Sequence, residues 1–341
     1  IYTPINYYSM AFTTSKTVVF DEYGDASKLY VKELPIRIPS VGEVRVKIAA
    51  VGLNRAETMY RSGIFYDLPT SFPASIGYEG AGVVDALGPG VTNFKVGDKV
   101  AILTTNLMSK YSTNMEYAIF PEESLVLMNE GQTFVEAASL WTAYLTAYFA
   151  LVEVHKVTAG QVVVVNAASS STGLAAIQLV ISLGATVIAT SRSSAKRQQL
   201  LDLGAHHFIA TKEENVAQRI NEITNNFGAN VIYDPVAGPM VAELVTAMAP
   251  KGTYIIYGVM SPDPTPFPIN SIIFKFINFK AYAVLEFSFD PVAIQRAVTF
   301  LRDRLPTFRS IIGKVFQGIE STPSAHQYLD GSDLFGKVVI E

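Results

Sequence analysis

The stretch that decides the fold runs from Val162 to Arg192, VVVVNAASSSTGLAAIQLVISLGATVIATSR. Val162 to Val165 form a continuous β-branched run, as expected of a strand covered by helices on both faces. A tight loop of small and hydroxylic residues follows, then helix-patterned text, a turn at Gly184 and a second β-branched run. Strand, loop, helix, turn, strand is one βαβ unit, and a parallel sheet follows from it.

Working outward, HHFIAT (206–211), NVIYDPV (230–236) and TYIIYGVM (253–260) read as further strands. They are separated by the helix-patterned VAQRINEITNNF and MVAELVTAMAP, which makes the region a doubly wound α/β domain. Just upstream, VEAASLWTAYLTAYFALVEV (135–154) places Ala, Leu and aromatics at three-and-four spacing without Gly or Pro, the pattern of a helix. Between Thr17 and about Asn129 the text changes to short β-branched runs broken by Gly and Pro, such as EVRVKIAAVGLN and GDKVAIL; this predicts a compact, mostly β domain.

After Met260 come the Pro-rich SPDPTPFP and the apolar SIIFKFINFKAYAVLEF (271–287), in which an edge strand is expected. The tail GKVVIE returns to β character and is expected to rejoin the first domain, leaving the doubly wound domain inserted between two parts of the other. The predicted division is 139–285 for the doubly wound domain and 1–138 with 286–341 for the β domain. Ile1 to Ser9 lack an initiator Met, a basic start and a long apolar run, so they do not read as a secretory signal; they are either native or a cloning remnant.

Composition narrows the function. With 341 residues and 49% hydrophobic content the chain can bury the cores of two domains. A net charge of -4 with scattered Lys and Arg offers no footprint for nucleic acid. No run of some 18 uninterrupted apolar residues is evident, so no membrane partner is expected and a cytoplasmic location is. There is no Cys, which removes disulfides, thiolate nucleophiles and every zinc site built on sulfur.

The loop NAASSSTGLAAIQ holds the chemistry-bearing positions. A dinucleotide turn needs a small residue where the strand bends, another where backbone meets the pyrophosphate, and Gly where helix packs on strand. Ala168, Ser170 and Gly173 fill those places, while the hydroxyls of Ser169, Ser170, Ser171 and Thr172 and the helix N-terminal amides can hold phosphate. At the end of the next strand an acid would favour NAD; the text reads TSRSSAKR instead, with Ser191, Arg192 and Lys196 placed for a 2′-phosphate. NADPH is the expected cofactor.

Six segments in order, GLNRAETMYRSG (52–63), SIGYEGAGVV (75–84), VTNFKVGDKV (91–100), AASLWTAYLTAY (137–148), AASSSTGLAAIQLV (167–180) and LGAHHFI (203–209), resemble the medium-chain dehydrogenase/reductase superfamily, particularly its zinc-independent quinone oxidoreductases and enone-reducing relatives. The resemblance implies a Rossmann-type domain joined to a GroES-like β domain. It also implies a homodimer in which the 271–287 strand pairs with its symmetry mate. Zinc-dependent members carry a Cys where this chain has Leu53-Asn54-Arg55 and a His where it has Gly77-Tyr78-Glu79. The four His, at 155, 206, 207 and 326, are not at ligand spacing, so no metal site is expected.

By the same resemblance Asn54 lies beside the nicotinamide ribose, Thr146 approaches the nicotinamide, Tyr257 and Gly258 line the groove, and Gly336 and Lys337 close over the nucleotide. Quinone reductases often have Tyr where this chain has Met59 and Phe65, so the candidate acceptor-side donors are Tyr60, Tyr66 and Tyr78. Met59, Phe65 and Trp141 suggest an apolar pocket, and Glu79 reads as a structural carboxylate bonded to backbone amides. The expected substrate is a small quinone or enone. A 2-enoyl thioester reductase, using Arg61 or Lys275 for carrier phosphates, and a nucleotide-binding protein without turnover are the other two readings.

Overall fold

The computed structural model describes residues 14–104, 107–305, 307–331 and 334–341; the expectation about residues 1–9 lies outside them. The first domain contributes strands β1 (Thr14–Phe20), β2 (Tyr30–Pro35), β3 (Glu43–Gly52), β4 (Ala74–Ser75), β5 (Glu79–Leu87), β6 (Lys99–Ile102), β7 (Tyr117–Pro121) and β8 (Leu125–Leu127). β1 is flanked by β2 and β4 in a small sheet, while β3, β5, β6 and β8 follow one another in a larger antiparallel one, with β7 also on β3. Helix α1 (Arg55–Arg61) starts directly after β3. Asn54 and Glu57 form its capping box, Glu57 reaching back to the Asn54 amide at 2.9 Å.

The chain enters the second domain through α2 (Phe134–Ala137) and α3 (Trp141–Tyr148), the latter continued by a π-helical turn over Phe149–Val154. Together they make one apolar span of 21 residues, longer than the sequence reading allowed. Most of it is buried in the fold, which marks a core helix. Then come β9 (Val162–Val165), α4 (Ser171–Ser182), β10 (Thr186–Ser191), β11 (His207–Ala210), β12 (Ala229–Asp234), β13 (Met248–Ile256) and β14 (Asn278–Ala281). They form one parallel sheet in the order β11-β10-β9-β12-β13-β14, the doubly wound order of a dinucleotide fold. Val163, Val164 and Val165 at its centre are fully buried, each contributing roughly 1.5–3 kcal/mol of apolar burial.

The expected edge strand is present as β14, and it pairs only with β13 among the described residues. Beyond Glu286 the chain first packs on the second domain's helices. Helix Pro291–Arg302 buries Ala293, Ile294, Ala297, Val298 and Leu301 in the same cluster as α3 and α4. Only after it do β15 (Ile312–Phe316) and β16 (Lys337–Ile340) join the larger sheet beside β3. The reason is an amphipathic stripe whose partner face, on α3, no local pattern announces.

Candidate active site at the carboxyl edge of the parallel sheet

The expected phosphate turn closes as the sequence requires. The Ser170 side chain caps α4, accepting the Gly173 amide at 3.1 Å, and the chain reaches that cap through Ala167, held at φ 50°. A Cβ on Gly173 would stand 2.7 Å from the Ala168 Cα, so only glycine lets the helix lie this close to the strand end. Gly336, at φ 88°, donates its amide to the Ser169 carbonyl at 3.1 Å, which brings the C-terminal tail onto the turn. Gly258 is equally constrained, because a Cβ there would meet the Pro235 carbonyl at 2.6 Å.

Beneath the turn lies a polar network that sequence reasoning missed. Asn166 Nδ2 donates to Asp234 at 2.7 Å, the Thr190 hydroxyl donates to Asn166 Oδ1 at 2.7 Å, and the Tyr254 hydroxyl donates to Asp234 at 2.7 Å. The amides of Val236 and Ala237 complete the Asp234 carboxylate. Four neighbouring strands are thereby pinned together at their carboxyl ends. Burial pushes the Asp234 carboxyl above its usual range, against the pull of those donors. The available signal was a polar residue following each of two apolar strand runs, Asn166 after VVVV and Asp234 after VIY.

Where β10 ends, Ser191 finishes the strand, Arg192 is exposed, and the Lys196 ammonium donates to the Leu334 carbonyl. Arg55 at the start of α1 donates to Gly331 at 2.9 Å, and Arg192 is one of the charges acting on it. Arg55 was not among the sequence candidates. The first domain thus brings a guanidinium within electrostatic reach of Arg192.

Nearer the domain boundary, Asn54 and Lys337 meet. The Lys337 ammonium donates to Asn54 Oδ1 at 2.7 Å and forms an ion pair with Glu79, while Asn54 Nδ2 donates to the Gly52 carbonyl at 3.0 Å. Lys337 is 1% exposed and Glu79 is fully buried. The ammonium therefore faces inward, fixing Asn54, rather than opening onto the nucleotide as the resemblance implied. Glu79 accepts one backbone amide, from Thr142 at 3.0 Å, as the sequence reading expected, but its main partner is Lys337. Thr146 is the one position of α3 that is not buried, and its hydroxyl bonds back to the Thr142 carbonyl at 2.7 Å.

Of the three tyrosines, two come together. The hydroxyls of Tyr66 and Tyr78 are 3.2 Å apart, with Phe65 packed against both rings. Tyr66 is 50% exposed, whereas Tyr78 is buried and its phenol is pushed well above the ordinary tyrosine value by desolvation. Tyr60 is a core residue, its ring edge-on to Phe20 at 5.8 Å, because its face of α1 packs on the cluster of Val18, Phe20 and Ile76. Trp141 is likewise core. Arg61 is buried in an ion pair with Asp330, and Lys275 is bound to the carbonyls of Thr246 and Met248, so neither is placed to receive a carrier phosphate.

Two family patterns divide the chain at the same junction. Residues 40–143 match the alcohol dehydrogenase GroES-like domain and residues 171–303 the zinc-binding dehydrogenase family. A quinone oxidoreductase of Pseudomonas aeruginosa is 35% identical over 251 residues, 74% of this chain and 75% of the relative. The chain belongs to the medium-chain dehydrogenase/reductase superfamily, in its quinone oxidoreductase-like branch. A 2-haloacrylate reductase from Burkholderia sp is 28% identical over 329 residues, 94% of this chain and 97% of that one. Among solved structures, mycobacterial Rv1454c complexed with NADPH superposes with a TM-score of 0.86 at 26% identity, covering 95% of this chain and 99% of that one.

Zinc appears in the name of one matching family, and the donors here do not fit it. Asn54 and Tyr78 stand where sulfur and imidazole are needed, and Glu79 already holds an ammonium that would repel a cation. Among the described residues no three His, Cys, Asp or Glu side chains cluster.

Proposed function

We propose that this medium-chain reductase uses NADPH, without zinc, to reduce a small quinone or α,β-unsaturated carbonyl. The observation that carries the reading is the closed turn from Ala167 to Gly173 with Gly336 docked on it. Its amides and hydroxyls suit a pyrophosphate, and the absent Cβ at Gly173 lets the start of α4 pack directly on the strand end. The relative solved with NADPH supports the cofactor, and the quinone oxidoreductase and haloacrylate reductase relatives support electron-poor acceptors.

Ser191, Arg192 and Lys196 would bind the 2′-phosphate, Ser169 to Gly173 the pyrophosphate, and Asn54, held by Lys337, the nicotinamide ribose, with Thr146, Tyr257 and Gly258 lining the groove. Bound NADPH supplies the two electrons as hydride. The chain supplies a donor for the oxygen that becomes negative as carbon accepts hydride, followed by one proton. Tyr78, buried and held protonated, is that donor, and the half-exposed Tyr66 connects it to water for the replacement proton. A nicotinamide-absorbance assay with 1,4-naphthoquinone and 2-cyclohexenone tests this. Protein-dependent NADPH oxidation is expected, and tight NADPH binding with no turnover on any acceptor would make the chain a binding module instead.

The same reading includes a homodimer. Leading into β14, whose far edge pairs with no strand among the described residues, Phe274 is 78% exposed and Phe267, Ile273 and Phe276 are also exposed. Pairing β14 with its mate would cover them. Light scattering at micromolar concentration should give a dimer mass that Phe274→Asp lowers; a monomer mass for the unaltered protein refutes it.

A further inference from the structure

Asn54 is held from two directions at the start of α1. Its side-chain Oδ1 accepts from the Lys337 ammonium, and its backbone amide donates to Glu57 Oε1 at 2.9 Å. Glu57 is fully buried, and so is His326 of helix Thr322–Asp330, whose Nε2 stands 3.5 Å from Glu57 Oε2. Ala325 and Leu329 of that helix pack with Leu53 and Val338. The helix therefore lies across the residue before Asn54 and the residue after Lys337, so both holds trace back to the C-terminal segment.

Burial leaves Glu57 few partners. Asn114 Nδ2 donates to its Oε2 at 3.3 Å. Charged side chains on the neighbouring elements are paired with each other: Arg61 of α1 with Asp330, and Lys337 of β16 with Glu79 of β5. His326 is the one basic group at ion-pair distance from Glu57 among the described residues, and neither of its ring nitrogens has a hydrogen-bond partner there. An imidazole and a carboxylate sealed in the interior each lose free energy unless they satisfy one another. From 3.5 Å, an approach closer by roughly half an ångström makes an ordinary N–H···O bond.

We infer that His326 and Glu57 are positioning residues for hydride transfer: the imidazole donates to Glu57, Glu57 fixes the amide of Asn54, and together with Lys337 they set Asn54 against the nicotinamide ribose. The inference rests on the reductase reading and concerns its geometry. Both residues are sealed from the cleft, so they act through Asn54 and touch neither cofactor nor acceptor.

The test uses His326→Leu, which removes the donor, and His326→Gln, which restores one. Without nucleotide, His326→Leu should lower the melting temperature, and lower it much less in a Glu57→Gln background, where no buried charge awaits the donor. In single-turnover stopped flow with bound NADPH and excess 1,4-naphthoquinone, His326→Leu should slow hydride transfer about tenfold, and His326→Gln should recover most of that rate. A purely structural role would shrink the amplitude through loss of folded protein and leave the rate constant alone. Should His326→Leu not fold, the double variant Glu57→Leu, His326→Leu buries no charge and still frees the Asn54 amide, and the same slowing is expected of it. An unchanged rate constant, or an equal fall in melting temperature in both backgrounds, would overturn the inference. An unaltered protein that oxidises no NADPH removes the reductase reading and this inference with it, whereas an active protein whose variants keep the rate constant removes this inference alone.

Discussion

The two walls of the cleft are built differently. On the nucleotide side the frame under the turn is tied by hydrogen bonds: Ser170 caps α4, Asn166 and Asp234 tie four strand ends together, and the Gly336 amide bonds to the turn. On the acceptor side the hydroxyls of Tyr66 and Tyr78 meet each other at 3.2 Å, and Tyr66 stands half in solvent beside exposed Ile64 and Leu68. A satisfied network holds one geometry, so the nucleotide wall is suited to a single invariant ligand. The acceptor wall keeps donors waiting in an apolar lip, which suits a class of flat carbonyl compounds rather than one member.

The contrast is broken most severely where the walls join. Lys337→Met would leave Glu79 buried without its counter-charge and Asn54 without its anchor. A loss of about 3–5 kcal/mol in denaturant stability is expected, together with lost turnover. Unchanged stability would mean that the pair does not hold the junction.

Arg192→Glu acts on the nucleotide wall alone. NADPH binding, followed by nicotinamide fluorescence, should weaken by about 2 kcal/mol, roughly thirtyfold, while NADH binding changes far less. Equal effects on both nucleotides would remove Arg192 from the 2′-phosphate site. Tyr66→Phe probes the acceptor wall and should be the mildest: a loss of about 1 kcal/mol, several-fold in kcat/KM, with NADPH affinity preserved. Weakened NADPH binding would show that the walls are not separable.

Sequence disclosed these regions unequally, for physical reasons. The βαβ unit is legible because a strand buried on both faces must be apolar throughout, and VVVV at 162–165 admits little else. Gly173 is legible because close helix packing excludes a side chain. The direction of the Lys337 side chain is not, since it depends on Glu79, 258 residues earlier in the chain. The same holds for Asn166 and Asp234, which meet only because β12 lies beside β9. Tyr60, one residue from a family position, looked like a donor, but the register of α1 turns it into the core. Which domain helix Pro291–Arg302 packs on is not legible either, because its apolar stripe would suit any apolar face.

All of this depends on where the nucleotide lies, and a crystal structure grown with NADP measures that directly. The pyrophosphate is expected against the amides of Ser170 to Gly173, with the 2′-phosphate reached by Arg192. A nucleotide bound elsewhere, or a turn still empty at saturating NADP, would contradict the account.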